Sequence, residues 1–218
     1  MEETMKTILA YGDSNTWGAV PLRDLAVVER YPAAKRWTGV AEARLGGRYR
    51  LIAEGLNGRT TCLDDPVEGK HRNGETYLLP CLLSHMPVDL VVIMLGTNDL
   101  KARFSLPASD IVAGMGRLIR LVGQSGAGPK WGAPEVLLVC PAPLATLSLL
   151  TEMFEGGAAK SKRLAPLAAA MAEKLGAHFL DAGSVIRSSE VDGIHLDEDA
   201  QGALGEAIAT RIAGILAR

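Results

Sequence analysis

A serine attacks an ester only when a base takes its proton. Four stretches of this chain hold the groups that such a reaction needs. Ser14 stands in Tyr11-Gly12-Asp13-Ser14-Asn15-Thr16-Trp17-Gly18, directly after Lys6-Thr7-Ile8-Leu9-Ala10. Lys6 to Tyr11 reads as a short buried strand and the residues after it as a tight turn. A hydroxyl at a strand tip is held by a rigid sheet yet stays open to a ligand. Taken alone, the same residues fit a plain strand-to-helix turn capped by Asp13 or Ser14. The partners that favour chemistry come from Asn57-Gly58-Arg59-Thr60, Gly96-Thr97-Asn98-Asp99 and Asp192-Gly193-Ile194-His195.

Of the four histidines, His195 is the one placed to take the Ser14 proton, through Nε2. Its Nδ1 needs an acceptor that fixes the tautomer and stabilises the imidazolium. Asp192, three residues earlier, can reach back across one turn, with Gly193 giving the chain its freedom. Attack leaves a negative oxygen, and the Ser14 amide, the Gly58 amide and the Asn98 side-chain amide are the candidate donors. Losing one such donor costs about 10²–10³ in turnover. Asp13, Trp17 and Ile194 are expected to border the substrate pocket. Trp17 either walls a small acyl pocket or is a core or interface tryptophan.

Each assignment has a structural rival. Taken alone, His195 reads more readily as a surface or cap residue, and Asn98 and Gly58 also fit a plain Asx-turn and a turn glycine. Asp99 is expected to brace its loop. His178 sits beside an apolar strand and reads as structural. His71 and His85 have no nearby acid and read as surface residues. Cys140 ends a strand, but no histidine follows at a suggestive position. The histidines lack metal-ligand spacing, so neither metal nor cofactor is expected.

The elements that must position these groups alternate strand and helix. Strands are expected at 6–11, 49–53, 89–95, 135–140 and 177–181. The run Asp89-Leu90-Val91-Val92-Ile93-Met94-Leu95 suits a central parallel strand covered on both faces. Helices are expected at 36–45, 76–85, 109–122 and 160–175, the last despite Pro166. A final helix capped by Asp197 carries Leu204, Ile208, Ile212 and Leu216 on one face. Segments 19–35 and 144–157 read as long loops, the second with exposed Met153 and Phe154. This alternation predicts an α/β fold with helices on both faces of a parallel sheet. A flavodoxin-like three-layer sandwich of five strands, order 2-1-3-4-5, is expected. Ligands bind beyond the carboxyl ends of such strands, where all four stretches can meet.

Together, in this order over nearly the whole chain, the four stretches resemble the SGNH, or GDSL-type, hydrolase family. The serine, glycine, asparagine and histidine of its four blocks match Ser14, Gly58, Asn98 and His195, with Asp192 beside the last. Further similarity lies in Gly58-Arg59-Thr60-Thr61, Asp64-Asp65-Pro66, Ile93-Met94-Leu95-Gly96-Thr97-Asn98-Asp99, Phe154-Glu155-Gly156-Gly157 and Asp181-Ala182-Gly183-Ser184-Val185. These are similar to the subgroup of bacterial arylesterases and mycobacterial acyltransferase/perhydrolases. The resemblance implies a serine esterase of short-chain and aryl esters that also transfers acyl groups to alcohols or peroxide. It also implies an oligomer whose loops narrow the site. The chain departs from the pattern at Asn15, where many members carry leucine, and at Gly58, where the subgroup can carry alanine. An amide donor survives either way.

The 218 residues suit one α/β domain, and 48% hydrophobic content is enough for a sizeable core. A net charge of -2, from 23 basic and 25 acidic residues, argues against nucleic acid as the main partner. Cys62, Cys81 and Cys140 form an odd set that reads as free thiols in a reducing cytoplasm. Met1-Glu2-Glu3-Thr4-Met5-Lys6 does not read as a signal peptide, and no apolar stretch is long enough to span a membrane. A small-molecule ester is the expected partner. Loops 19–35 and 144–157 are expected to make subunit contacts in a homo-oligomer, or to form two flaps of a monomer. The rival functions are a carbohydrate deacetylase or lysophospholipase/thioesterase of the same fold, and a non-catalytic flavodoxin-like binding module. The last would cradle phosphate at Gly12–Gly18, which lacks the spacing of a dinucleotide or P-loop motif.

Overall fold

Alternating apolar residues on the first strand face two different cores, and the three layers follow from that. The computed structural model describes residues 5–217; the acidic lead-in at 1–4 lies outside them. Five parallel strands, β1 (Lys6–Gly12), β2 (Tyr49–Gly55), β3 (Leu90–Met94), β4 (Glu135–Cys140) and β5 (His178–Asp181), form one sheet in the order β2-β1-β3-β4-β5. Seven helices accompany them among the described residues: α1 (Ser14–Trp17), α2 (Trp37–Leu45), α3 (Gly74–His85), α4 (Ala108–Gly123), α5 (Gly157–Ser161), α6 (Leu164–Lys174) and α7 (Glu198–Leu216). Leu9, Tyr11, Val91 and Ile93 pack on one face with Leu78 and Leu82 of α3, Met115 and Leu118 of α4, and Ala168 of α6. Ile8, Ala10, Leu90 and Val92 pack on the other with Trp37 of α2 and Leu204, Ile208 and Ile212 of α7. Period-two alternation puts neighbouring side chains of a strand on opposite faces. Every residue of β3 is buried, as a central parallel strand requires.

The register brings the chemistry-bearing loops to one edge. Gly12 of β1 pairs with Gly55 of β2 and with Met94 of β3, so the chain leaves all three strands side by side. A Cβ on Gly55 would lie 2.1 Å from the Trp17 backbone nitrogen. Glycine there lets α1 settle against the strand ends.

Several boundaries differ from the sequence expectation. The helix expected over 160–175 is two, α5 and α6, and Pro166 falls in the first turn of α6, where its missing N–H is not needed. Helix α3 begins at Gly74 rather than Thr76, because the Asn73 side chain accepts from Glu75 N at 3.0 Å and caps it. Asp197 holds the N-cap position of α7 without a side-chain cap; its Oδ1 instead accepts from Ser189 Oγ at 2.9 Å. Phe154 is buried in the first core beside Leu144 and Leu150, not exposed, and Met153 is half-buried against it. Segment 19–35 is irregular except for an antiparallel bridge between Ala19 and Arg30 and a short 3₁₀ turn at Ala33–Lys35. It is pinned by Tyr31 N to Gly18 O at 2.8 Å and by Leu22 N to Asp192 Oδ2 at 2.7 Å. No helix among the described residues is long and apolar enough to cross a membrane.

Candidate active site

Ser14 opens α1, a single helical turn that Asp13 caps by accepting from Asn15 N at 3.0 Å. The Ser14 hydroxyl lies 3.0 Å from His195 Nε2, although 181 residues separate them. His195 Nδ1 lies 2.6 Å from Asp192 Oδ2. Asp192 is fully buried, and all its acceptor capacity is used. Oδ1 accepts from the backbone amides of Ile194 and His195, each at 2.9 Å, and Oδ2 also accepts from Leu22 N. Burial pushes this carboxyl up, but the hydrogen bond and charge of His195 and the amides of Leu22 and Ile194 outweigh it and hold it at about 2. Asp192 is therefore ionised at neutral pH and keeps the proton of His195 on Nδ1. That leaves the Nε2 lone pair facing the serine hydroxyl.

Donors line the same cleft as the hydroxyl. The backbone N–H groups of Ser14 and Gly58 have no acceptor among the described residues. Gly58 has φ +75°, a left-handed conformation in which a side chain would be strained. Asn98 Nδ2 spends one hydrogen on Arg59 O at 3.2 Å, leaving the other for the cleft. Arg59 ties this edge together. It is buried, donates through Nη1 to Gly12 O at 2.9 Å and to Glu54 O, and stacks its guanidinium 4.1 Å from the Tyr11 ring. Asp99 braces the loop after β3, accepting from Thr61 N and from Thr61 Oγ1 at 2.5 Å.

Above these groups lies a cleft of about 270 Å³. Ser14, His195, Gly58 and Asn98 line its base, and Leu22, Leu25, Val28, Leu150, Met153, Phe154 and Ile194 its apolar walls. Asn57, Glu68 and Lys101 form a polar side. A chain built this way can take a proton from a hydroxyl and stabilise negative charge on a carbonyl oxygen beside it, which is the chemistry of acyl transfer.

The chain matches the model of the GDSL-like lipase/acylhydrolase family over residues 10–203. It belongs to that family. Membership sets the reaction class, hydrolysis of acyl groups. Solved structures agree in fold and sequence. An aryl esterase of M. smegmatis is 45% identical, covering 97% of this chain and 100% of that one, with a TM-score of 0.93. A carbohydrate acetylesterase from Sinorhizobium meliloti is 44% identical with the same coverage and a TM-score of 0.93. A second carbohydrate acetylesterase family member from that organism is 39% identical, covering 98% and 100%, with a TM-score of 0.90. A search of curated proteins gives no match.

Within this GDSL-like fold the residues expected at the site divide. Ser14, Gly58, Asn98, Asp192, Ile194 and His195 converge. Asp13 and Trp17 do not line the cleft. Asp13 is enclosed beneath it, beside a cavity of about 10 Å³ that it shares with Asn15 and Thr97. Its carboxylate turns inward because Oδ1 caps α1. Trp17 closes α1, where its ring lies 4.6 Å from the Arg30 guanidinium. His85 is not free of acids either: its Nε2 lies 3.1 Å from Glu54 Oε1. Lys101 and Glu68 were not singled out by sequence. Lys101 is buried and bonds to Glu68, with Asp65 at 3.6 Å. The available signal was a lysine two residues after the Asn98-Asp99 turn.

Burial raises the Asp13 carboxyl from 3.8 to about 6, against the Asn15 amide, and its Oδ2 has no hydrogen-bond partner. A carboxyl raised in this way binds its proton more tightly in the folded than in the unfolded chain. The folded state therefore loses stability as pH rises from about 4 to about 6 and carries the full penalty above that. Asp13→Asn keeps the capping oxygen and removes the charge. It should stabilise the chain by ~2 kcal/mol at about pH 8 and by little at about pH 4. Urea denaturation at the two pH values measures the difference, and an equal effect at both would contradict the buried-charge account.

Proposed function

We propose that this chain is a serine esterase of short-chain and aryl esters, with Ser14 as nucleophile, His195 as general base and Asp192 as its orienting partner. The observation that carries it is the continuous line from the Asp192 carboxylate through the imidazole to the Ser14 hydroxyl, 2.6 Å and 3.0 Å long. Attack at the substrate carbonyl forms a tetrahedral intermediate. The amides of Ser14 and Gly58 and the Asn98 side chain stabilise its oxyanion. His195 then returns the proton to the leaving alcohol, and a water or alcohol completes the second half by the same route. Apolar residues at the cleft mouth, Leu22, Leu25, Val28 and Met153, favour an organic alcohol or a peroxide over water as acceptor.

The cleft volume supports short acyl groups. In a panel of p-nitrophenyl esters, kcat/KM should be highest for acetate and butyrate and fall about tenfold by the decanoate, a loss of ~1.4 kcal/mol of transition-state binding. A rate that climbs steadily with chain length would refute the short-acyl assignment. A second reading, removal of acetyl groups from a carbohydrate, draws support from the polar side made by Asn57, Glu68 and Lys101 and from the two acetylesterase relatives. An acetylated sugar in the same panel separates them, and a higher kcat/KM than for p-nitrophenyl acetate favours the sugar.

We also propose a homo-oligomer. Leu25, Val27 and Val28 on the 19–35 loop are each more than half exposed, and Leu149 on the second loop is nearly so. Light scattering tests this. The free thiols Cys62, Cys81 and Cys140 support a reducing, cytoplasmic setting.

A further inference from the structure

A second cluster of chemistry-bearing side chains lies outside the cleft, beside the strand end whose Glu54 carbonyl Arg59 holds. Cys81 and His85 stand four residues apart on α3, which places them on one helical face. His85 on that face reaches Glu54 near the end of β2. His85 Nε2 is 3.1 Å from Glu54 Oε1, and one ligand atom from each of the three residues lies within 4.8 Å of the other two. Cys81 is fully buried, whereas His85 and Glu54 are about a quarter exposed at their side chains. The cluster thus has a closed floor and an open edge.

We propose that Glu54, Cys81 and His85 form a zinc-binding site outside the ester-hydrolysing cleft. Sulfur, imidazole nitrogen and carboxylate oxygen are the three ligand types that Zn²⁺ takes, at about 2.3, 2.0–2.1 and 2.0–2.2 Å. Ligand atoms already within 4.8 Å of one another need only small rotamer changes to reach those distances. Water supplies the fourth position at the open edge. The balance of the binding step is simple. The Cys81 thiol loses its proton to solvent and forms the Zn–S bond, and His85 shifts its ring proton from Nε2 to Nδ1 as Nε2 exchanges its hydrogen bond to Glu54 for a Zn–N bond. Thiolate and carboxylate together neutralise the two positive charges.

The neighbours set the affinity. Burial, with the nearby Glu54 carboxylate, pushes the Cys81 thiol up to about 12, against the opposing pull of Tyr77 and Arg59. Arg59 also links the cluster to the cleft. Its Nη1 holds the Glu54 carbonyl, and its own carbonyl receives the Asn98 amide. Metal at the cluster clamps β2 to α3 at the root of the loop that carries Gly58.

Co²⁺ reports on the site independently of esterase activity. The chelator-treated full chain should bind one equivalent of Co²⁺ with a thiolate charge-transfer absorption in the near ultraviolet, and one equivalent of Zn²⁺ should abolish it. The melting temperature should rise with added Zn²⁺. Cys81→Ala should lose the absorption. Glu54→Gln and His85→Ala, at partly exposed positions, should weaken binding at least about tenfold. His195→Ala should bind like the wild type, which separates this site from the cleft imidazole. Absence of the thiolate band in the wild type would overturn the proposal. So would a band that persists in Cys81→Ala, or metal binding lost with His195.

Discussion

Ser14→Ala should lower ester turnover by about 10⁴–10⁶-fold while leaving the fold intact. The substitution removes an oxygen whose one side-chain partner among the described residues is His195 Nε2. It leaves the α1 cap on Asp13 untouched. The residual rate should come from the donors around Gly58 and Asn98, which still polarise a bound ester. His195→Ala should cost a similar amount. The sharper expectation concerns the pair: because proton removal and attack are one event, the double variant should be no slower than either single variant. Two independent contributions would multiply instead. Steady-state hydrolysis of p-nitrophenyl acetate measures all three variants. Covalent labelling by a fluorophosphonate should vanish with Ser14. Turnover in Ser14→Ala within tenfold of the wild type would remove the serine from the mechanism.

Local pattern reaches as far as a side chain's own element, and the legible part of this molecule stops there. The continuous apolar run of β3 and the four-residue spacing of Leu204, Ile208, Ile212 and Leu216 each mark one element, and the structure buries them accordingly. Alternation and crossover handedness only restrict the strand order, and 2-1-3-4-5 is the choice that five strands with a central first strand fit. The four blocks were visible because each sits at a strand end or just before a helix, where residue types carry turn chemistry as well as function. Asp192 and His195 were readable as a pair since three residues separate them.

What was not legible depends on partners far away in the chain. Leu22 reads as one apolar loop residue, yet its amide bonds to Asp192 across 170 positions. Glu54 and His85 meet only because the ends of β2 and α3, 31 residues apart in the chain, come side by side. Phe154 sits in a segment without periodicity, so nothing local reveals that the loop folds its ring into the core. Trp17 and Asp13 are near Ser14 in sequence, but a helical turn points successive side chains in different directions. Adjacency to a nucleophile along the chain is therefore weak evidence for lining its pocket. Asp197 shows a further limit: it occupies the cap position as expected, but Ser189 competes for its oxygen.

Asp192→Asn should lower turnover by about 10⁴-fold while the backbone around His195 stays in place. The reason is a conflict of donors. Oδ1 of Asp192 accepts from two backbone amides, of Ile194 and His195, so an asparagine keeps its carbonyl oxygen there. The new NH₂ then occupies the place of Oδ2, facing the Leu22 amide and His195 Nδ1. A donor now meets Nδ1, and the imidazole responds by carrying its proton on Nε2, toward Ser14. In that tautomer the ring cannot accept the serine proton. The same swap leaves the Leu22 N–H facing another donor, which should loosen the 19–35 loop and lower stability by about 1–3 kcal/mol. The two effects are separable. Turnover reads the tautomer, and the ¹⁵N chemical shifts of His195 report which nitrogen is protonated. Hydrogen exchange at Leu22 reads the loop. A variant that keeps wild-type turnover with its ring protonated on Nδ1 would mean that the carboxylate does not orient the base.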